Sequence, residues 1–246
     1  PVIREAAKMG IPCVIHESNA YPGVTTKMLS KHVKSVLLAV SDAKKYFDKS
    51  VNCVVTGNPV REEIFKISRE DARRELNLDD RPLILSFGGS LGAGSINKAC
   101  LYMLKESSEE KKYQHIHGYG QYAQQFPEEL ESFGVSLSDN KQIQVKEYIN
   151  NMPICLAAAD LLICRSGAMT LSEIEAAGKA SVLIPSPNVA ENHHYHNAME
   201  LVKEGAASII EDKDLPGELL WEKVNAIASD SQKLSKFSEY AKRLSF

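Results

Sequence analysis

At 246 residues, with 43% apolar and 25% charged side chains, the chain has the size and balance of an ordinary globular protein of one large or two modest domains. A net charge of −3 at pH 7 gives no electrostatic case for nucleic acid, and no apolar run approaches the length of a membrane span. Five scattered cysteines (Cys13, Cys53, Cys100, Cys155 and Cys164), odd in number and without a C-x-x-C pair, read as small buried hydrophobes in a reducing, cytoplasmic setting, not as a disulfide or zinc framework.

The opening Pro1-Val2-Ile3-Arg4 has neither an initiator Met nor the layout of a signal peptide, so the sequence reads as starting inside something longer. A helix is predicted over 3–9, a strand over 12–16, a basic helix over 25–32 and strands over 35–40 and 53–56. The third strand ends in Gly57-Asn58-Pro59-Val60-Arg61, and a charged, linker-like stretch (62–81) follows, with a helix over 69–76. Six further strands are predicted over 82–87, 113–117, 142–146, 161–164, 181–184 and 207–210. Helices over 95–104, 169–177, 192–204 and 217–229 fill the gaps between them or close the chain.

Apolar β-branched runs alternating with helical patterns mark parallel α/β layers. The last six strands suffice for a complete doubly wound domain, whereas the first three make half a sheet with an exposed edge. Residues 1–50 hold eight Lys/Arg against four Asp/Glu, a net of +4 that leaves −7 for the remainder, so the basic excess lies at one end of the molecule. The runs 107–112 and 128–131 read as solvated loop or helix faces.

Two strand-to-helix junctions carry the chemistry. In Cys164-Arg165-Ser166-Gly167-Ala168-Met169-Thr170-Leu171-Ser172-Glu173 an apolar strand breaks into Ser-Gly and turns helical. Free backbone N–H groups and the positive end of a helix dipole then sit at the strand's carboxyl edge, where a phosphate can bind. Leu83-Ile84-Leu85-Ser86-Phe87, followed by Gly88-Gly89-Ser90-Leu91-Gly92-Ala93-Gly94, is a second such element. Neither fits G-x-G-x-x-G or G-x-x-x-x-G-K-[ST], which counts against NAD and P-loop readings. Taken singly, each is an ordinary βα turn; as a pair they point to a nucleoside diphosphate.

The chain resembles the MurG-type glycosyltransferases. The resemblance rests on ordered pieces: Gly10-Ile11-Pro12 with His16-Glu17-Ser18-Asn19, then Gly57 to Arg61, Gly88-Gly89-Ser90-Leu91-Gly92-Ala93, Glu147-Tyr148-Ile149, the Cys164 to Glu173 block, Ala176-Ala177-Gly178, and His194-Tyr195-His196-Asn197-Ala198. It implies a GT-B fold of two Rossmann-like sheets, the first incomplete, with 1–65 as part of an acceptor- and membrane-side domain and 66–246 as the donor domain. The implied activity is inverting transfer of N-acetylglucosamine from UDP-GlcNAc to undecaprenyl-pyrophosphoryl-MurNAc-pentapeptide (lipid I to lipid II) in peptidoglycan synthesis. The implied place is the cytoplasmic face of the bacterial membrane, bound peripherally, without a cofactor or metal. The family's Gly-Gly-Thr-Gly-Gly-His loop, which carries the histidine usually proposed as base, has no counterpart here, so the base is expected outside this chain and the chain alone is expected to be inactive. Two alternatives stay open: another GT-B enzyme, such as a UDP-GlcNAc 2-epimerase or a natural-product glycosyltransferase, and a non-catalytic UDP-sugar-binding fragment.

Carried over motif by motif, the resemblance gives Ile149 a backbone contact with the uracil. It has Ser166, Gly167, Ala168, Met169, Thr170, Leu171 and Ser172 wrap the nucleotide through helix-terminal N–H groups, and Glu173 hold the ribose hydroxyls. Ser90 would meet a phosphate, Arg61 would reach across the cleft to the diphosphate, and Asn19 would lie beside the sugar. The family's Gln positions at the start of a later helix are His193 and His194 here, with His194 taken as the sugar contact. A zinc reading of His193, His194 and His196 fails for want of an outlying ligand. The basic helix over 25–34, with Lys27, Lys31 and Lys34 beside Met28, Leu29 and Val33, fits an anionic membrane surface as well as it fits a plain amphipathic helix.

Overall fold

The computed structural model describes residues 2–245. Two parallel sheets follow one another along the chain. The first holds β1 (Val14–Glu17), β2 (Ser35–Leu38) and β3 (Cys53–Val55) in that spatial order, with Val14 opposite Ser35 and Val36 opposite Cys53. Helix α1 (Val2–Lys8) precedes it, and α2 (Val24–Leu29), extended by a 3-10 turn at Ser30–His32, joins β1 to β2. Its buried nucleus is small, formed by Val36, Leu38 and Ala43, while Val14 on the outer strand is half exposed.

The second sheet contains β4 (Leu83–Phe87), β5 (Gln114–Gly118), β6 (Ile143–Lys146), β7 (Leu161–Cys164), β8 (Ala180–Leu183) and β9 (Ala207–Ile209), in the spatial order β6-β5-β4-β7-β8-β9 and all parallel. Counted from its own first strand the order is 3-2-1-4-5-6, the Rossmann winding, which reverses direction between β4 and β7. Leu83, Leu85, Leu162, Cys164 and Leu183 enter one core cluster, and Ile84, Leu161, Ile163 and Val182 the other. Successive residues therefore face opposite layers and both layers are apolar, so these strands read in sequence as unbroken hydrophobic runs.

Among the described residues eight helices complete this half: α3 (Arg69–Glu75), α4 (Gly94–Glu110), α5 (Phe126–Ser132), α6 (Met152–Ala158), α7 (Ala168–Ala177), α8 (His193–Lys203), α9 (Gly217–Ala228) and α10 (Ser231–Leu244). The stretch expected to be linker-like is folded. A 3-10 turn at Glu62–Phe65 buries Ile64 in the core of the second sheet, Ser68 caps α3 by accepting from the Asp71 N–H, and Arg69 and Arg73 both hold Asp160, at 2.8 and 3.2 Å. Helix α4 runs one and a half turns past its predicted end. Ser107 and Ser108, expected on a solvated face, are buried, because the Ser107 hydroxyl meets the His115 ring at 2.6 Å. Helices α5 and α6 were not legible in the sequence: each has seven residues with a proline at its start, and each is held by side chains it buries, Phe126 and Leu130 in one and Cys155 and Leu156 in the other. Helix α10, capped by the Asp230 carboxylate, packs against α7 and α9.

Candidate active site

The winding reversal opens a crevice at the carboxyl ends of β4 and β7, the place where open α/β sheets bind ligands. Helix α7 starts there. Its N-cap, Gly167, is extended (φ −66°, ψ 142°) and offers no side-chain cap, and no acidic residue occupies the first turn. The Leu171 N–H already donates to the Gly167 carbonyl, so the donors without an intrahelical partner are those of Ala168, Met169 and Thr170. This narrows the expected wrap. Leu171 turns its side chain into the core at 5% exposure, and Ser172, a residue further into the helix, uses its hydroxyl to accept from Asn58 at 3.0 Å. Ser166 is fully buried with its hydroxyl donating to the His194 carbonyl at 2.7 Å, so its part is to tie α8 to the head of α7.

His194 stands at the start of α8 with Nδ1 accepting from the Ser186 N–H at 3.2 Å. The ring proton is thereby placed on Nε2, which faces Gly167: a Cβ there would lie 3.7 Å from it. Burial, then the charges of His193 and Arg165, bring the pKa of His194 down to about 4, so at neutral pH it is an uncharged imidazole with an N–H donor directed at the helix start. His193 and His194 pack edge to face and His196 stacks on Tyr21. Among the described residues no three His, Cys, Asp or Glu side chains converge as a metal site requires.

Arg61 does reach across from the end of the first sheet, and it lands on Glu173. Its Nε and Nη2 both donate to Oε1, at 3.2 and 2.9 Å. Two residues expected to take different parts of one ligand are thus paired with each other, the arginine half exposed and the glutamate largely covered. Three further contacts, each built on a side chain to which the sequence reading gave no role, join the halves. Asn58 donates to Ser172 and to the Ser18 carbonyl; Asn197 bridges Asn19, Ala20 and Ser166; and Tyr21 lies under both His196 and the Lys27 ammonium. Asn58 lies in the Gly57 to Arg61 stretch and Asn197 in the His194 to Ala198 stretch, and that placement is the sequence signal that marks them.

Ser90 and Ile149 lie on neighbouring loops of the same sheet edge. Ser90 is exposed on the β4–α4 loop, its carbonyl accepting from the Gln121 N–H. That loop depends on Gly92, whose φ is +88° and whose missing Cβ would fall 2.2 Å from the Tyr119 carbonyl oxygen. Ile149 buries its side chain against Gly118, which leaves its backbone as the part a ligand can use. A cavity of about 390 Å³ between the halves lies on the other flank of α7, lined by Val40, Asp42, Asn58, Ser172, Glu175 and Glu200, and it includes none of Arg61, Glu173 and His194. Burial, with Glu200 nearby, pushes the Glu175 carboxyl up to about 7. The helix start, its free N–H donors and the polar side chains around it mark the crevice, not this cavity, as the candidate site.

The C-terminal domain model of glycosyltransferase family 28 matches residues 83–245, and the N-terminal domain model of that family matches residues 1–38. The chain belongs to glycosyltransferase family 28. Within family 28 it is similar to the UDP-N-acetylglucosamine–N-acetylmuramyl-(pentapeptide) pyrophosphoryl-undecaprenol N-acetylglucosamine transferase of Thermoanaerobacter sp. (strain X514), 42% identical over 246 residues, which are 100% of this chain and 67% of that protein. Its fold is similar to the crystal structure of Acinetobacter baumannii MurG, with a TM-score of 0.77 at 30% identity, covering 98% of this chain and 64% of that one. A putative UDP-N-acetylglucosamine 2-epimerase from Listeria monocytogenes shares the fold alone, at TM-score 0.66 and 13% identity over 97% of this chain and 67% of that one. The chain spans about two thirds of the length of the curated family 28 relatives it matches. No helix among the described residues is long and apolar enough to cross a membrane.

Proposed function

We propose that this chain is the donor-binding part of an inverting N-acetylglucosaminyltransferase that uses UDP-GlcNAc and delivers the sugar to lipid I. The observation that carries the reading is the convergence at one crevice of the uncapped start of α7, Glu173 and the neutral His194 from the second half with Arg61 and Asn19 from the first. A diphosphate takes the N–H groups of Ala168, Met169 and Thr170 and the Arg61 guanidinium, while the β4–α4 loop with Ser90 supplies the second phosphate contact. Glu173, released from Arg61, accepts from the ribose diol. The backbone of Ile149 meets the uracil edge, and His194 donates to a sugar oxygen.

In the reaction the lipid I hydroxyl oxygen forms a bond to the anomeric carbon as the bond from that carbon to the phosphate oxygen breaks. UDP leaves with the electron pair, and the hydroxyl proton passes to a base that is not assigned to any residue here. Arg61 and the helix start meet the charge that develops on the leaving diphosphate.

Residues 1–61 belong to the acceptor side and 62–246, which include Ile64 in the core of the second sheet, to the donor side. The acceptor is lipid-linked, so the enzyme works at the cytoplasmic face of the membrane. Lys31, Lys34 and the exposed Val24 and Met28 form the face that meets anionic lipid. Lys27 is withdrawn from that face, since it sits over Tyr21 at 4.3 Å and within 3.7 Å of Glu191.

Calorimetric titration with UDP and UDP-GlcNAc tests the donor site directly: both bind, and absence of binding by either overturns the reading. A turnover assay with a lipid I analogue is expected to give no lipid II from these 246 residues, and robust product would place the base within them.

A further inference from the structure

Arg165, the first residue after β7, lies along the carboxyl edge of the second sheet with its side chain largely covered, at 17% exposure. Its Nη1 donates to the Ile184 and Pro185 carbonyls just past β8, each at 3.2 Å, and to Asp212 Oδ1 in the 3-10 turn (Asp212–Asp214) that follows β9. Its Nη2 donates to the Ser95 hydroxyl at 3.0 Å, and that hydroxyl donates in turn to the same Asp212 Oδ1. Arginine, serine and aspartate thus close a ring of contacts in which one covered carboxylate compensates one covered guanidinium.

Ser95 stands in the first turn of α4, and that helix opens as α7 does. Its N-cap, Ala93, provides no side-chain cap, its first turn holds no acidic residue, and the first N–H with an intrahelical acceptor is that of Asn97, bonded to the Ala93 carbonyl. Strands β4 and β7 are neighbours at the winding reversal, so both helix starts flank one crevice. They do so from opposite faces of the sheet, since Ile96 and Ala99 of α4 enter one core cluster and Leu171 and Ile174 of α7 the other. With the sheet between the two helices, the separation of their starts is held at its carboxyl edge. There Arg165, which leads into the Ser166-Gly167 turn of α7, grips Ser95 of α4, and Asp212 fastens both.

We infer that Asp212 and Ser95 are positioning residues for the diphosphate: with Arg165 they fix the separation of the two helix starts that share its two phosphates. The inference rests on the reading of the crevice as a UDP-GlcNAc site in which the start of α7 and the β4–α4 loop each take a phosphate. Neither Asp212 nor Ser95 touches the ligand in this scheme. A nucleotide with one phosphate settles on one start, and its affinity does not feel the separation. A diphosphate has to reach both, and hydrogen bonds weaken steeply once donors leave their line, so its affinity does. Both contacts to Asp212 fall on a single oxygen, which a carboxamide also offers and a methyl group does not.

Ser95→Ala is the first test variant, because it cuts the tie to α4 without a change of charge, in a helix that alanine favours. Calorimetry with UMP and with UDP on the 246-residue chain is expected to leave the UMP affinity within about threefold of the original and to lower the ratio of UDP to UMP affinity about tenfold, the low end for one charge-assisted hydrogen bond. Asp212→Ala is expected to lower the same ratio, to cost nothing further in a Ser95→Ala background, and to be largely rescued by Asp212→Asn, whose Oδ1 accepts from both partners. Where Asp212→Ala does not fold, Ser95→Ala decides. The loss is expected to persist in about 0.5 M salt, since it comes from position and not from the field of the carboxylate. Removing a negative charge by itself favours the more highly charged ligand, so a raised ratio overturns the inference, as does an unchanged ratio or an equal loss for both ligands, while the donor site stands. Fully additive losses, or an asparagine variant no better than alanine, overturn it as well. Failure of the original chain to bind UDP overturns the donor site and the inference together.

Discussion

Replacing Arg61 by alanine should move the affinities for uridine and for UDP in opposite directions. In the free protein the guanidinium and the Glu173 carboxylate hold each other at 2.9 Å, with side-chain exposures of 52% and 18%. A pair this wet is worth about 0.2–1 kcal/mol, since solvent screens the attraction and ordering two long side chains opposes it. Uridine offers the diol that Glu173 is proposed to bind but no phosphate for Arg61, so its binding in the original chain has to break the pair without a return. Arg61→Ala removes that cost, and uridine should bind up to about fivefold more tightly. UDP gains the same relief but loses charge-assisted bonds from Arg61 to its diphosphate, worth about 1.5–3 kcal/mol. The net loss is roughly 0.5–2.8 kcal/mol, a weakening of about 2- to 100-fold. Calorimetric titration of both ligands at low ionic strength and in 0.5 M salt, a condition in the regime of about 3–10 Å screening lengths, reads both signs, and the uridine gain should shrink in the saltier buffer. Weaker uridine binding in the variant would refute the competition between ribose and Arg61 for Glu173.

Three other outcomes are expected. His194→Gln should preserve the preference for UDP-GlcNAc over UDP, because a neutral amide replaces the donor that Nε2 supplies; loss of sugar binding with UDP retained would give the imidazole a role of its own. Gly92→Ala should weaken UDP binding and lower the melting temperature, because a side chain at φ +88° costs about 1–2 kcal/mol before the clash with the Tyr119 carbonyl is counted, and an unaltered melting curve would contradict the packing of that loop. Acid should destabilise the chain: burial takes His115 and His117 down to about 3, so the unfolded state binds more protons between pH 3 and 6.5, and each histidine removes up to about 1.4 kcal/mol per pH unit on the way down. Glu175 has the opposite sign, its contribution being complete below pH 4.5 and lost as the pH rises through 7, so Glu175→Gln should steepen the acid loss in denaturant titrations at pH 5 and 6.5.

What the sequence determined by itself was the layering, the strands and the loops that bear the chemistry. Strands β4, β7 and β8 were readable because parallel strands buried on both faces are continuous apolar runs, and the breaks in those runs at Gly88 and at Ser166-Gly167 are where the backbone leaves the sheet. The motif block from Cys164 to Glu173 likewise marks a helix start at a strand end. Local pattern was weaker where packing supplies the stability. The seven-residue helices α5 and α6 hold only through the side chains they bury, and Ser107 is polar by type yet enclosed because His115 needs a partner. Tertiary structure alone decided which side chains meet. Arg61 and Glu173 are 112 residues apart, and each was read toward a ligand because nothing in either's neighbourhood names the other. Asn197 and Ala20, 177 positions apart, give no local sign of contact, since an asparagine on a helix and a loop amide are ordinary residues until two sheets are docked. Periodicity and turn chemistry act over a few residues and leave their record in the sequence, whereas a hydrogen bond across a crevice depends on where two rigid layers come to rest.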